Sequence, residues 1–92
     1  MKERTVLVRY LGDVQGVGFR ATVRRIAGGY AIKGWVKNDS DGSVSMIATA
    51  EAKELEAFMQ AIRDSRLGPL IEREEVEPQP GGAPARGFDI KH

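Results

Sequence analysis

The chain has 92 residues, 14 of them basic and 13 acidic, a net charge of +1 and no cysteine. That length suits a single domain, residues 1–92, with one modest core. The charge balance gives no electrostatic case for nucleic acid or an anionic membrane, and the lack of cysteine excludes disulfides, thiol catalysis and zinc–thiolate centres. Apolar residues make up 41% of the chain and are spread along it, as in a folded protein. Met1-Lys2-Glu3-Arg4 is followed by an apolar run too short for a signal peptide, and no run approaches a membrane span. A cytoplasmic protein is therefore the expectation.

Thr5 to Leu11 is β-branched and aromatic, carries apolar groups on both faces, and stops at Gly12; it reads as a central strand. Phe19, Val23 and Ile26 then fall on one helical face, and Gly28-Gly29 ends the helix. Tyr30 to Asn38 reads as a second strand. Gly34 inside it signals a bulge or a close backbone approach. Asp39-Ser40-Asp41-Gly42 is a turn, and Ser43 to Ala48 is a third strand that completes a hairpin. Leu55, Phe58, Met59 and Ile62 form the apolar stripe of a second helix from about Glu51 to Ser65, with Thr49 as the expected N-cap. Gly68-Pro69 stops it. Leu70 to Glu77 is Glu-rich and reads as an edge strand, Pro78 to Arg86 as a loop, and Phe88-Asp89-Ile90 as a short last strand. The fold class is α+β: a ferredoxin-like β-α-β-β-α-β sandwich. It has a mainly antiparallel sheet, two helices on one face and an added final strand.

The stretch Gly12-Asp13-Val14-Gln15-Gly16-Val17-Gly18-Phe19-Arg20 joins the first strand to the first helix. Backbone N–H groups converge on anions in such turns, and the planar guanidinium of Arg20 suits phosphate oxygens. The alternative is an ordinary loop ending in a solvated charge. The stretch is neither a Walker A loop nor a dinucleotide fingerprint, since it lacks the Gly-Lys-Ser/Thr ending and the third spaced glycine. Elsewhere the catalytic inventory is thin. His92, the only histidine, stands at the terminus and reads as idle. No cluster has metal-ligand spacing. Asp39 and Asp41 belong to a glycine turn and read as turn builders, and Ser40, Ser43 and Ser45 lack an activating base. Asn38 either starts the turn or offers its amide to a water molecule. The connectivity alone leaves open whether it shares a rim with the glycine loop.

Val14-Gln15-Gly16-Val17-Gly18-Phe19-Arg20, Gly34-Trp35-Val36-Lys37-Asn38 and Asp41-Gly42-Ser43-Val44, in this order and spacing, closely resemble the acylphosphatase family. Gly68-Pro69 and Phe88-Asp89-Ile90 look like its later landmarks, so the resemblance covers nearly the whole chain. It implies hydrolysis of acyl phosphates to a carboxylate and inorganic phosphate, with no metal, no cofactor and no covalent intermediate. It implies that the backbone of Gln15, Gly16, Val17, Gly18, Phe19 and Arg20 cradles the phosphate, that the Arg20 side chain binds it, and that Asn38 orients the attacking water. The partners implied are a small-molecule acyl phosphate, and phosphate or sulfate as product or inhibitor, for a monomeric enzyme. The thin inventory agrees. A carboxylate is a good leaving group, so little proton donation is needed, and phosphoryl transfer rests on positioning and charge stabilisation.

Asp13 departs from the family, standing where members more often carry a basic or neutral residue. Ala50 stands where a glycine is expected, and Gly28-Gly29-Tyr30 is an unusual connection. Two other functions compete: a non-catalytic acylphosphatase-like module, of the kind fused to larger enzymes that handle carbamoyl phosphate, and an RNA-binding domain of the same strand order. The second lacks stacking aromatics on its middle strands.

Overall fold

The computed structural model describes residues 2–79 and 86–92. Strand β1 (Glu3–Gly12) is followed by α1 (Phe19–Ala27), β2 (Lys33–Asn38), β3 (Val44–Glu51) and α2 (Ala52–Asp64). One 3-10 turn (Gly68–Leu70) then leads into β4 (Ile71–Pro78), and β5 (Phe88–Lys91) closes the chain. The sheet runs β4-β1-β3-β2-β5, antiparallel throughout except for the parallel β2–β5 pair. This is the ferredoxin-like α+β arrangement. The expected loop from Pro78 to Arg86 falls largely on residues outside the described ones; Pro78 itself ends β4.

Side-chain alternation builds the core. Val8 and Tyr10 of β1, Val36 of β2, and Val44, Met46, Ala48 and Ala50 of β3 point to one face and are almost fully buried. Phe19 and Val23 of α1 and Leu55, Phe58, Met59 and Ile62 of α2 cover them, so the helical stripes read from spacing are the buried ones. Each large apolar side chain buried in this way contributes about 1.5–3 kcal/mol relative to exposure. Phe58 lies at the centre, with ring centroids 5.9 Å from Tyr30 and 5.6 Å from Phe88, close to edge-on geometry.

Two boundaries differ from the sequence reading. Thr49 is not a helix cap. β3 runs on in register with β1 to the Glu3–Glu51 pair, and the Thr49 and Thr5 hydroxyls meet across the ladder at 2.6 Å. The N-cap is Glu51, which makes no side-chain capping bond. β2 begins at Lys33 rather than Tyr30. The Tyr30 amide donates to Ala27 and the Ala31 amide to the Glu54 carboxylate, so residues 30–32 form the turn out of α1.

Gly34 is a close approach, not a bulge: the β2–β3 register is unbroken there. Its φ is 149°, and a Cβ at this position would lie 1.8 Å from the Ile47 carbonyl oxygen. Backbone cannot yield as a flexible side chain would. Gly34→Ala is expected to cost about 4 kcal/mol or more, lowering the thermal midpoint by about 15–30 °C. A calorimetric midpoint within a few degrees of the parent would contradict this packing.

Candidate active site

β1 ends at Gly12, and the chain then turns sharply before α1. The Asp13 amide donates to the Leu70 carbonyl at 3.0 Å, while the Asp13 side chain is exposed. Val14 is fully buried and anchors the loop from below. Gly16 and Gly18 adopt left-handed φ values of 78° and 74°, a conformation that L side chains rarely adopt. Left-handed residues in a turn favour concave backbone arrangements of the kind that bind anions. Gly18 also caps α1, its carbonyl accepting the Thr22 amide at 3.0 Å. Phe19 is buried, with its ring 5.2 Å from that of Tyr10, which fixes the first helical turn and hence the origin of the Arg20 side chain.

The Gln15 side chain does not line the cavity. Its amide nitrogen donates to the carbonyls of Asp39 at 2.7 Å and Ser43 at 2.8 Å. This ties the loop to the β2–β3 turn, immediately beyond Asn38. The turn is itself cross-braced. The Ser43 hydroxyl shares its one proton between Asp41 at 2.6 Å and Asp39 at 3.0 Å, the Ser45 hydroxyl donates to Asp39, and Arg9 meets Asp41 at 2.8 Å. The hydroxyl and then the amide of Ser43, with Arg9 behind them, hold the Asp41 carboxyl below the usual carboxylate range. The two aspartates therefore build the turn, as their place in the Asp39-Ser40-Asp41-Gly42 run suggests.

The question left open by connectivity is answered by the sheet order. A cavity of about 260 Å³ is lined by Val14, Gly16, Gly18, Phe19, Arg20 and Ala21 from the loop and helix start. Asn38 from the end of β2, Ile90 from β5 and His92 just beyond it complete the lining. Arg20 and Asn38 thus share one rim with the two left-handed glycines, while Gln15 and Val17 contribute no wall. The Arg20 guanidinium donates through Nη1 to the Lys91 carbonyl at 3.1 Å and lies 3.5 Å from His92 Nδ1. Its Nε and Nη2 have no hydrogen-bond partner among the described residues.

His92 corrects the sequence reading, which set it aside as a terminal residue. β5 pairs with β2 in parallel, Lys37 opposite Lys91, so the next step along the register brings residue 92 beside Asn38. No pattern within the last strand could have shown this, because the signal lies in the pairing.

A larger open groove of about 490 Å³ lies between the end of α2 and β4. Its cations are already matched, Arg63 with Glu74 at 2.7 Å and Arg73 with Glu75 at 2.9 Å. It therefore offers an anion far less than the loop cavity does. Among the described residues, no three His, Asp or Glu side chains gather as metal ligands.

The chain is similar to known proteins along nearly its whole length. The acylphosphatase family model matches residues 6–90. An acylphosphatase from Salinibacter ruber is 35% identical over 89 residues, covering 97% of this chain and 94% of that protein. The crystal structure of acylphosphatase from Bacillus subtilis superposes with a TM-score of 0.86 at 27% identity, over 99% of this chain and 100% of that one. Full-length HypF, in its phosphate- and nucleotide-bound form, contains a similar unit: TM-score 0.86 and 29% identity over 99% of this chain but 12% of HypF. The chain therefore belongs to the acylphosphatase family, enzymes that hydrolyse acyl phosphates.

Proposed function

We propose that the cavity between the glycine loop and the end of β2 is where the acyl phosphate is hydrolysed, and that water attacks phosphorus directly. The observation that carries this reading is the shared wall of Gly16, Gly18, Arg20 and Asn38. The backbone N–H groups of residues 15–20 and the Arg20 fork meet the phosphoryl oxygens, where negative charge must be held as the bond to the leaving group lengthens. The Asn38 carboxamide accepts a hydrogen bond from a water molecule and orients its oxygen toward phosphorus. The P–O bond to the acyl oxygen breaks as the new P–O bond forms. The carboxylate departs, and the proton of the attacking water passes to a phosphate oxygen or to solvent. A carboxylate needs no protonation to leave at neutral pH, its ordinary pKa being about 4. Neither a general acid nor a metal is required in this scheme.

In this reading the chain works as a single domain, monomeric and cytoplasmic. No helix among the described residues is long and apolar enough to cross a membrane. The test is hydrolysis of benzoyl phosphate in the presence of a strong chelator, with inorganic phosphate as inhibitor. Turnover that survives chelation and is competitively inhibited by phosphate is the expected result. Phosphate binding without any turnover would instead make the chain a binding module, and activity that appears only with added divalent cation would refute the direct scheme.

A further inference from the structure

Arg66 follows α2 and lies outside the cavity, on the far side of the glycine loop. Its Nη2 donates twice, to the Val17 carbonyl at 3.0 Å and to the Thr22 hydroxyl at 2.8 Å. Val17 is the residue between the two left-handed glycines, and Thr22 is buried in α1. Arg20 stands between these two anchor points. The guanidinium also covers the loop closely: a Cβ on Gly18 would come within 3.2 Å of the same nitrogen.

A trans peptide sets the N–H of one residue antiparallel to the C=O of the residue before it. No peptide bond here is cis, so with the Val17 carbonyl pinned toward Arg66, the Gly18 N–H is turned the opposite way. Gly16 and Gly18, on either side of Val17, both line the cavity. Glycines on both sides of Val17 allow this peptide unit to rotate at little steric cost, so something outside the loop must hold it.

We propose that Arg66 is a positioning residue of the phosphate site. It holds the Val17–Gly18 peptide with its N–H facing the cavity and staples the loop to the helical turn that carries Arg20. This inference rests on reading the cavity as the phosphate site. The probe is inorganic phosphate, titrated into the full chain labelled with nitrogen-15 and followed through the loop amides. In the parent protein the Gly18 amide moves strongly downfield on saturation. In Arg66→Met phosphate binding weakens about tenfold, kcat/KM falls by a similar factor, and the Gly18 response is largely lost, while the protein still melts cooperatively with a midpoint lowered by no more than about 15 °C.

Arg66→Met with the parent's phosphate affinity and Gly18 response would overturn the inference. So would Arg66→Lys that restores affinity without restoring the Gly18 response, since charge alone would then account for the effect. Should no loop amide of the parent protein respond to phosphate at all, the reading of the cavity fails first, whatever the variants do.

Discussion

Arg20→Met is expected to lower kcat/KM for benzoyl phosphate by about 10³-fold or more, and to abolish measurable competition by phosphate. The argument is electrostatic and geometric. Among the described residues, Arg20 is the only Lys or Arg that lines the cavity, and it enters from the first turn of α1, at the helix end where the backbone dipole favours an anion. Its contact with the Lys91 carbonyl uses Nη1 and orients the fork, while Nε and Nη2 have no partner among the described residues. A planar pair of N–H donors meets two oxygens of a phosphoryl group at once, which a lysine ammonium does not reproduce. Arg20→Lys should therefore recover only part of the loss. The variant should fold normally, because the hydrogen bonds it gives up are exposed and such bonds contribute about 1 kcal/mol or less. Rate and inhibition constants measured beside a thermal melt separate the two effects. Parent-like turnover by a folded Arg20→Met protein would remove Arg20 from the chemistry.

The parts of the fold that were readable in the letters are those with a local cause. The stripes of α1 and α2, the Asp41-Gly42 turn and the charged edge strand β4 each follow from periodicity or turn chemistry over a few residues. Thr49 was misread because a hydroxyl beside a helix start looks the same in sequence whether it caps the helix or pairs across strands. Only the continued β1–β3 register decides between the two. The site divides in the same way. Gly16, Gly18 and Arg20 are consecutive enough for their spacing to suggest an anion loop. That Asn38 faces them depends on which strands are neighbours and on the Gln15 amide bridging to the turn carbonyls. His92 arrives through a parallel pairing and Arg66 through hydrogen bonds to a loop much earlier in the chain, and neither leaves a trace in local pattern.

Asn38→Ala is expected to separate catalysis from binding. Asn38 lines the cavity from the end of β2, and in the proposed scheme it meets the attacking water and does not carry the phosphate's charge. It is exposed, and its position is set by backbone: β2 pairing opposite Val44 on one side, and the Asp39 amide donating to the Ser43 carbonyl at 2.8 Å on the other. Truncation should therefore leave the loop and the fold intact. The expected result is a kcat lower by about 10²–10³-fold, the range seen when one oriented polar group is removed from a transition state. The phosphate inhibition constant should stay within about threefold, since the ground-state grip on the anion is untouched. Asn38→Asp sharpens the test. It keeps the shape and can still accept from water, but it adds a negative charge on the rim facing a dianion, so phosphate inhibition should weaken along with kcat. A proportional loss of kcat and phosphate affinity in Asn38→Ala would mean that Asn38 binds phosphate directly. Water would then be oriented by another group on the same rim, with His92, beside it through the β2–β5 pairing, the first to examine.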